Sequence, residues 1–404
     1  MAYQGTRCQI CTGCGRCAPA GRLEKEMRVI TDSFQLPGKK KPGGTEEEIV
    51  IADLGTTTIA MEWYDRQGRK QGEYVRSNPQ RCFGTDVISR IQAAENPMLR
   101  LQMQQLVRRV LEEGIGYFRQ QGGEPGRMSI AGNTTMLYLL LGHDPAQLGT
   151  APFTADYLEG ERLRIGGMEA VTLPGLSAFI GGDITAGILA CEMDLQEEIT
   201  LLVDLGTNGE LALGNREKLL CCGTAAGPAF EGGSDIWGAD IIALTARLMD
   251  MGLVDETGLL AEPYFEQGVT IGDVQITQER IRQLQTAKAA ICAGIRTLAA
   301  AYGLMDLKQI RQVYLAGGFG YFLDVRAAVS LGLLPWELEG RVTAVGNSAL
   351  AGARIYAGEA DAQVRMERMR RNARVLNLAE QQNFGGEFIE AMYLRRQQFG
   401  SLHT

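Results

Sequence analysis

Histidine is almost absent, with only 2 in 404 residues, His143 and His403. His143 follows an apolar stretch and His403 lies near the end of the sequence, each without a partner motif, so neither a Ser-His-Asp triad nor a His-based metal site is expected. A basic excess is lacking as well. Lys and Arg number 40 against 48 Asp and Glu, a formal net charge of -8, which leaves no positive footprint for nucleic-acid phosphates. No apolar run approaches the roughly 20 residues that a membrane span needs; the longest are strand-length, such as Ile49 to Ala52 and Leu201 to Val203. The first residues also lack the apolar core of a signal peptide. The expectation is a cytoplasmic protein with neither nucleic acid nor membrane as partner, in which 9 cysteines point to metal or redox chemistry and not to structural disulfides.

Four of those cysteines, Cys8, Cys11, Cys14 and Cys17, crowd into RCQICTGCGRCAPAG, a stretch too short to build a core of its own. Residues 1–22 are therefore read as a metal or iron-sulfur segment. Residues 23–47 include SFQLPGKKKPGGTEE, whose Pro, Gly and charge suit a linker. In the body that follows, EIVIADLGTTTIAMEWYD (Glu48 to Asp65) is echoed by ITLLVDLGTNGELALGN (Ile199 to Asn215). Each copy reads strand, Asp-Leu-Gly-Thr turn, strand. Such a repeat implies one duplicated lobe, with lobe I at 48–198, lobe II at 199–360, and a helical tail at 361–404 packing on the lobes. Between the copies, apolar residues at helical spacing predict a helix over Pro97 to Gln120, and Met128 to Gly132 reads as a strand. Later come a helix from Gln278 to about Gly303, a strand at Gln312 to Ala316 and a short strand near Arg374 to Leu378. Alternating strands and helices give an α/β fold.

Nucleotide phosphates call for backbone N–H donors at close range, and glycine permits that approach because it has no Cβ and accepts positive φ. Gly55 and Gly206 supply it here, with hydroxyls from Thr56, Thr57 and Thr207 and the neighbouring Asn208 completing the two loops. Asp53 and Asp204, at strand ends, are placed to hold Mg²⁺ directly or through water and to orient an attacking water. A plain hairpin turn is the alternative for either loop alone, but two copies at matching places in a duplicated chain favour ATP. Further glycine loops follow in GGDITAG, GTAAGPAFEGG, LAGGFG and GNSALAGA. Gly317 and Gly318 would let an adenosine lie against bare backbone, the alternative being a close helix-strand contact. Lys288, on the preceding helix, is a candidate for the ribose or base, although a lone helical Lys is as readily a solvated one.

The cysteine run C-x2-C-x2-C-x2-C resembles the bacterial ferredoxin run, one residue short and with Ala18 before Pro19. A four-iron, four-sulfur cluster is favoured. Zinc is the alternative, though its structural sites usually set two Cys pairs on separate turns, and free thiols are the third possibility. Cys82, Cys191, Cys221, Cys222 and Cys292 read as small buried hydrophobes.

The loop order DLGTT, GGDITAG, DLGTNGE, LAGGFG, GNSALAGA resembles the superfamily of acetate and sugar kinases, heat-shock chaperone ATPases and actin. AGNTTMLYLLLG, APF, VDLGTNGEL and GTAAGPAFEGG look more closely like the ATP-dependent reductive activators of corrinoid proteins, over about Glu48 to Ala353. The resemblance implies a duplicated, actin-like (ribonuclease H-like), two-lobed ATPase fold. It further implies coupling of ATP hydrolysis to delivery of a low-potential electron from an iron-sulfur cluster to a corrinoid protein or a related metalloenzyme. An electron donor such as ferredoxin would feed the chain, and a homodimer could share a cluster. Longer members carry a plant-type ferredoxin domain with C-x4-C-x2-C spacing, where this chain has only the short cysteine run. A small-molecule kinase and a non-enzymatic nucleotide switch that remodels a partner are the alternatives on the same fold.

Overall fold

A computed structural model describes residues 44–206, 208–224, 226–230, 238–272 and 274–394. Cys8, Cys11, Cys14, Cys17 and Thr207 lie outside the described residues, as does nearly all of the expected linker. The chain divides into two compact units, one gathering the chain up to Ala190 with Asn347–Arg370, the other gathering Cys191–Gly346 with the chain from Arg371.

The first unit is built on a six-stranded sheet of β1 (Glu48–Leu54), β2 (Thr58–Tyr64), β3 (Lys70–Ser77), β4 (Pro125–Gly132), β5 (Arg162–Ile165) and β6 (Met168–Thr172), in the order β3-β2-β1-β4-β6-β5. The second has β7 (Thr200–Asp204), β8 (Glu210–Gly214), β9 (Leu219–Gly223), then the two-stranded β10 (Val269–Ile271) and β11 (Val274–Ile276), then β12 (Gln312–Ala316), β13 (Val342–Gly346) and β14 (Ala373–Val375). Its main sheet runs β13-β12-β7-β8-β9-β14. The two orders share a five-strand core. β1 pairs antiparallel with β2 and parallel with β4, and β4 parallel with β6; β7 repeats this with β8, β12 and β13. The copies differ at their edges, where β5 extends the first sheet beyond β6 and β14 extends the second beyond β9. The repeat seen in the sequence is thus a repeat of topology.

The central strands are continuously apolar through their middle residues because both faces are covered. Val50, Ile51 and Ala52 of β1 and Leu201, Leu202 and Val203 of β7 are all buried. Helices supply the cover. Pro97–Gln120 starts with proline in its first turn, where a missing N–H costs nothing, and Asn96 caps it by accepting from the Met98 N–H. It buries Met103, Val107, Leu111, Ile115 and Phe118; its Gly114 comes so close to β2 that a Cβ would stand 2.4 Å from Met61 Sδ. In the second unit Gln278–Tyr302 is capped by Thr277 and ends at Gly303, whose φ of +98° is a left-handed stop.

Two helices of the first unit approach more tightly than side chains would allow. Ser348–Gly358 packs on Gly182–Ala190, and a Cβ on Gly352 would lie 2.0 Å from the Ala186 carbonyl oxygen. This seam brings the start of the later helix, and Asn347 before it, to the end of β1.

Candidate functional site

Asp53 lies in the penultimate position of β1, and the chain turns through Gly55, Thr56 and Thr57 into β2. The turn closes with the Gly55 N–H donating to the Thr58 carbonyl at 3.0 Å. A Cβ on Gly55 would sit 2.8 Å from that same oxygen, so glycine is required by the turn itself. Asp53 is partly buried, and desolvation pushes its carboxyl up to about 6 although the Asn347 amide, donating to Oδ2 at 2.8 Å, opposes the shift. Asn347 Oδ1 in turn accepts from the Leu350 N–H, so one side chain caps the helix and holds the carboxylate. Thr56 turns inwards. It is 5% exposed, its hydroxyl oxygen accepts from Asn133 Nδ2 at 3.1 Å, and its carbonyl accepts from the fully buried Arg90 at 2.6 Å. Gly55 and Thr57 remain partly exposed.

The second turn begins at Asp204, the last residue of β7. The Leu205 N–H donates to the Ala316 carbonyl at the end of β12, and the next residue, Gly317, has φ +84°. A Cβ there would meet the Leu205 carbonyl at 2.8 Å and Asp204 Oδ1 at 3.0 Å. Asp204, Gly206 and Gly317 therefore converge on one bare backbone corner, with the exposed Gly318 beside it. Asn208 accepts at its carbonyl from the Ala226 N–H, and Thr224 donates both N–H and hydroxyl to the Gly209 carbonyl, which fixes the far side of the turn. Sheet register sets Glu210 opposite Asp204, where the first copy has Ala60 opposite Asp53. The two loops are homologous in place but unlike in charge.

Lys288 stands apart from this corner. It is fully buried, and its ammonium donates to the carbonyls of Ala391 at 2.5 Å and Tyr393 at 2.7 Å. Four of the other described cysteines are buried as expected, burial raising the Cys221 thiol to about 12. Cys82 is exposed, because it ends a short 3-10 turn, Pro79–Cys82, whose buried residue is Gln80.

Sequence alone assigns no role to Asn347, Asn133, Arg90, Asn78 or Glu210. Asn347, Asn133 and Glu210 lie inside the quoted motifs GNSALAGA, AGNTTM and DLGTNGEL, but a motif does not show which oxygen each side chain reaches. Arg90 and Asn78 carried no signal, for a buried arginine looks like any other in sequence.

Residues 49–196 match the family described as RACo middle region, and residues 198–240 and 234–403 match the C-terminal domain of RACo, the ASKHA domain. The chain belongs to the RACo family. Its fold is accordingly the actin-like ASKHA fold expected from the loop order. Among RACo relatives, the corrinoid activation enzyme RamQ of Eubacterium limosum is 32% identical, over 76% of this chain and 63% of its own length. The [Co(II) methylated amine-specific corrinoid protein] reductase of Methanosarcina barkeri is 23% identical over 57% of this chain and 54% of its own. The chain thus spans about half to under two thirds of these curated relatives. A solved structure of a reductive activator for corrinoid, iron-sulfur protein superposes with a TM-score of 0.76 at 29% identity, covering 89% of this chain and 67% of that one. Among the described residues no helix is long and apolar enough to cross a membrane.

Proposed function

We propose that this chain is an ATPase that reductively activates a corrinoid protein. Membership of the RACo family and the names of its relatives support the corrinoid partner. The observation that carries the nucleotide half is the corner of Asp204, Gly206 and Gly317, a close backbone approach that any Cβ at 317 would fill. Glycines that bare the backbone beside a carboxylate suit a phosphate chain with its metal ion. Asp204 is assigned to Mg²⁺, directly or through water, with Gly206, Thr207 and Asn208 along the phosphates and Gly317 and Gly318 against the adenosine. In the first unit Gly55 and Thr57 are assigned to phosphate, with Thr56 holding the turn from within. Asp53 is a second candidate for Mg²⁺ and for orienting the attacking water. Lys288 is left out of the nucleotide set because its ammonium already serves two carbonyls.

Bound ATP supplies a transferable γ-phosphoryl group and a conformational signal. A four-iron, four-sulfur cluster on Cys8, Cys11, Cys14 and Cys17, with zinc as the alternative occupant, would supply or relay the low-potential electron, a ferredoxin being the donor class. A homodimer would allow two chains to share such a cluster. The test is anaerobic reconstitution with iron and sulfide, followed by ATPase assays in the presence of a reduced ferredoxin-class donor, with and without a cob(II)alamin-bearing protein. Slow turnover stimulated by that protein, together with formation of cob(I)alamin, is expected. ATP turnover that ignores the corrinoid protein would sink the activator role while leaving the ATPase.

A further inference from the structure

Four consecutive carbonyl oxygens in the turn after β1 each already face a donor from the protein. Gly55 accepts from Asn78 Nδ2 at 2.8 Å. Thr56 accepts from Arg90 Nη2 at 2.6 Å. Thr57 accepts from the Asn78 N–H at 2.8 Å, and Thr58 from the Gly55 N–H at 3.0 Å. The two side chains that serve the first two of these carbonyls are themselves buried, Arg90 at 0% and Asn78 at 1% exposure; the other two carbonyls are served by backbone N–H groups. Each is also anchored elsewhere: Arg90 Nε donates to the Gly84 carbonyl at 2.9 Å and Nη1 reaches Met136 Sδ, while Asn78 Oδ1 accepts from the Gln80 N–H.

A tight turn normally leaves some carbonyls pointing outwards, where their negative ends repel an anion. Here they are withdrawn, and a guanidinium that stays charged at every accessible pH lies beneath Thr56. Arginine suits the place because its fork spans three acceptors in different directions, which an ammonium on a flexible stem does not. Burying such a charge is costly when packing alone is needed, since an apolar side chain of similar volume fills the space more cheaply.

Building on the assignment of this turn to phosphate, we propose that Arg90 and Asn78 are positioning residues that turn its carbonyls inward and so make the turn selective for the anionic part of the nucleotide. Neither touches the ligand. Both act through the Gly55 and Thr56 carbonyls.

The experiment measures ATP and adenosine binding by calorimetry on the full chain and its R90M, R90K and N78S variants, with thermal melts of each. Serine keeps a capping oxygen for the Gln80 N–H while removing the longer Nδ2 amide that reaches the Gly55 carbonyl. The expected result is ATP affinity at least tenfold weaker in R90M, an intermediate loss in R90K and N78S, and adenosine affinity unchanged in all three. A variant that is folded yet binds ATP like the parent overturns the inference, and so does an equal loss for ATP and adenosine, which would mean general damage. If R90M does not fold, R90K and N78S decide the matter by the same two readings. A parent chain that binds no ATP would instead remove the nucleotide reading on which the inference stands.

Discussion

At the residue scale the decisive contact is between Asp53 and Asn347. A carboxyl raised from 3.8 to about 6 by burial holds a proton in the folded state that the unfolded chain has already lost between those values. Stability must therefore fall as pH rises from about 4 to about 6, and it stays reduced above that window. Replacing Asp53 with Asn removes the effect. In thermal melts the D53N variant should gain on the parent as pH rises, by on the order of 2 kcal/mol at pH 8 relative to pH 4 after allowance for partial exposure, while ATP turnover is lost. A difference independent of pH would show that the carboxyl is not desolvated. The Asn347 amide acts in the opposite direction. In N347A the acid limb of the ATPase pH profile should move upward, and an unmoved limb would separate Asn347 from the chemistry. Lys288 shows where residue type misleads. Its sequence context allowed a ligand contact or a solvated surface, whereas its ammonium serves carbonyls 103 and 105 residues away in sequence, a separation no local pattern reports.

At the element scale much was legible. The helix at Pro97–Gln120 and the strand at Gln312–Ala316 carry the expected bounds, and β14 begins one residue before the expected region and overlaps it at Arg374 and Val375. Strong periodicity, a proline start and capping side chains fixed them locally. What sequence could not separate was one glycine loop from another. Gly317 bares a corner beside Asp204, but Gly352, in the equally suggestive GNSALAGA, is a helix-helix contact against Ala186. Alanine tests the difference. G317A, strained at φ +84° as well as crowded, should weaken ATP binding at least tenfold with a melt lowered by a cost of about 1–3 kcal/mol. G352A should lower the melt comparably through the forced seam and leave the ATP affinity of the remaining folded protein within about twofold, a mild binding change near the 1 kcal/mol scale or below. Equal binding losses in both would dissolve the distinction.

At the scale of the whole molecule, duplication explains the fold economically and its asymmetry is where function enters. One copy sets a buried glutamate opposite its aspartate and the other an alanine, so a shared topology carries two different electrostatic settings. The repeated loops make the fold readable from the sequence; the proposed corrinoid partner rests on family resemblance alone, because no residue in the loops names a partner. The cysteine run belongs to this scale too. Changing Cys8, Cys11, Cys14 and Cys17 to serine should abolish iron incorporation on reconstitution while ATP binding persists, as measured by metal analysis and calorimetry on the same sample. Iron retained at parental stoichiometry would place the metal elsewhere.

Neither unit is a single stretch of chain. The first is completed by Asn347–Arg370, which follow the 156 residues of Cys191–Gly346, and the second by the chain from Arg371. During synthesis the early half must therefore wait on the ribosome with the Gly182–Ala190 side of its glycine seam bare, until the helix that covers it emerges. Long-range closure of this kind is slow and leaves apolar surface uncovered meanwhile. A gene cut between Gly346 and Asn347 would leave the first unit without its last two helices.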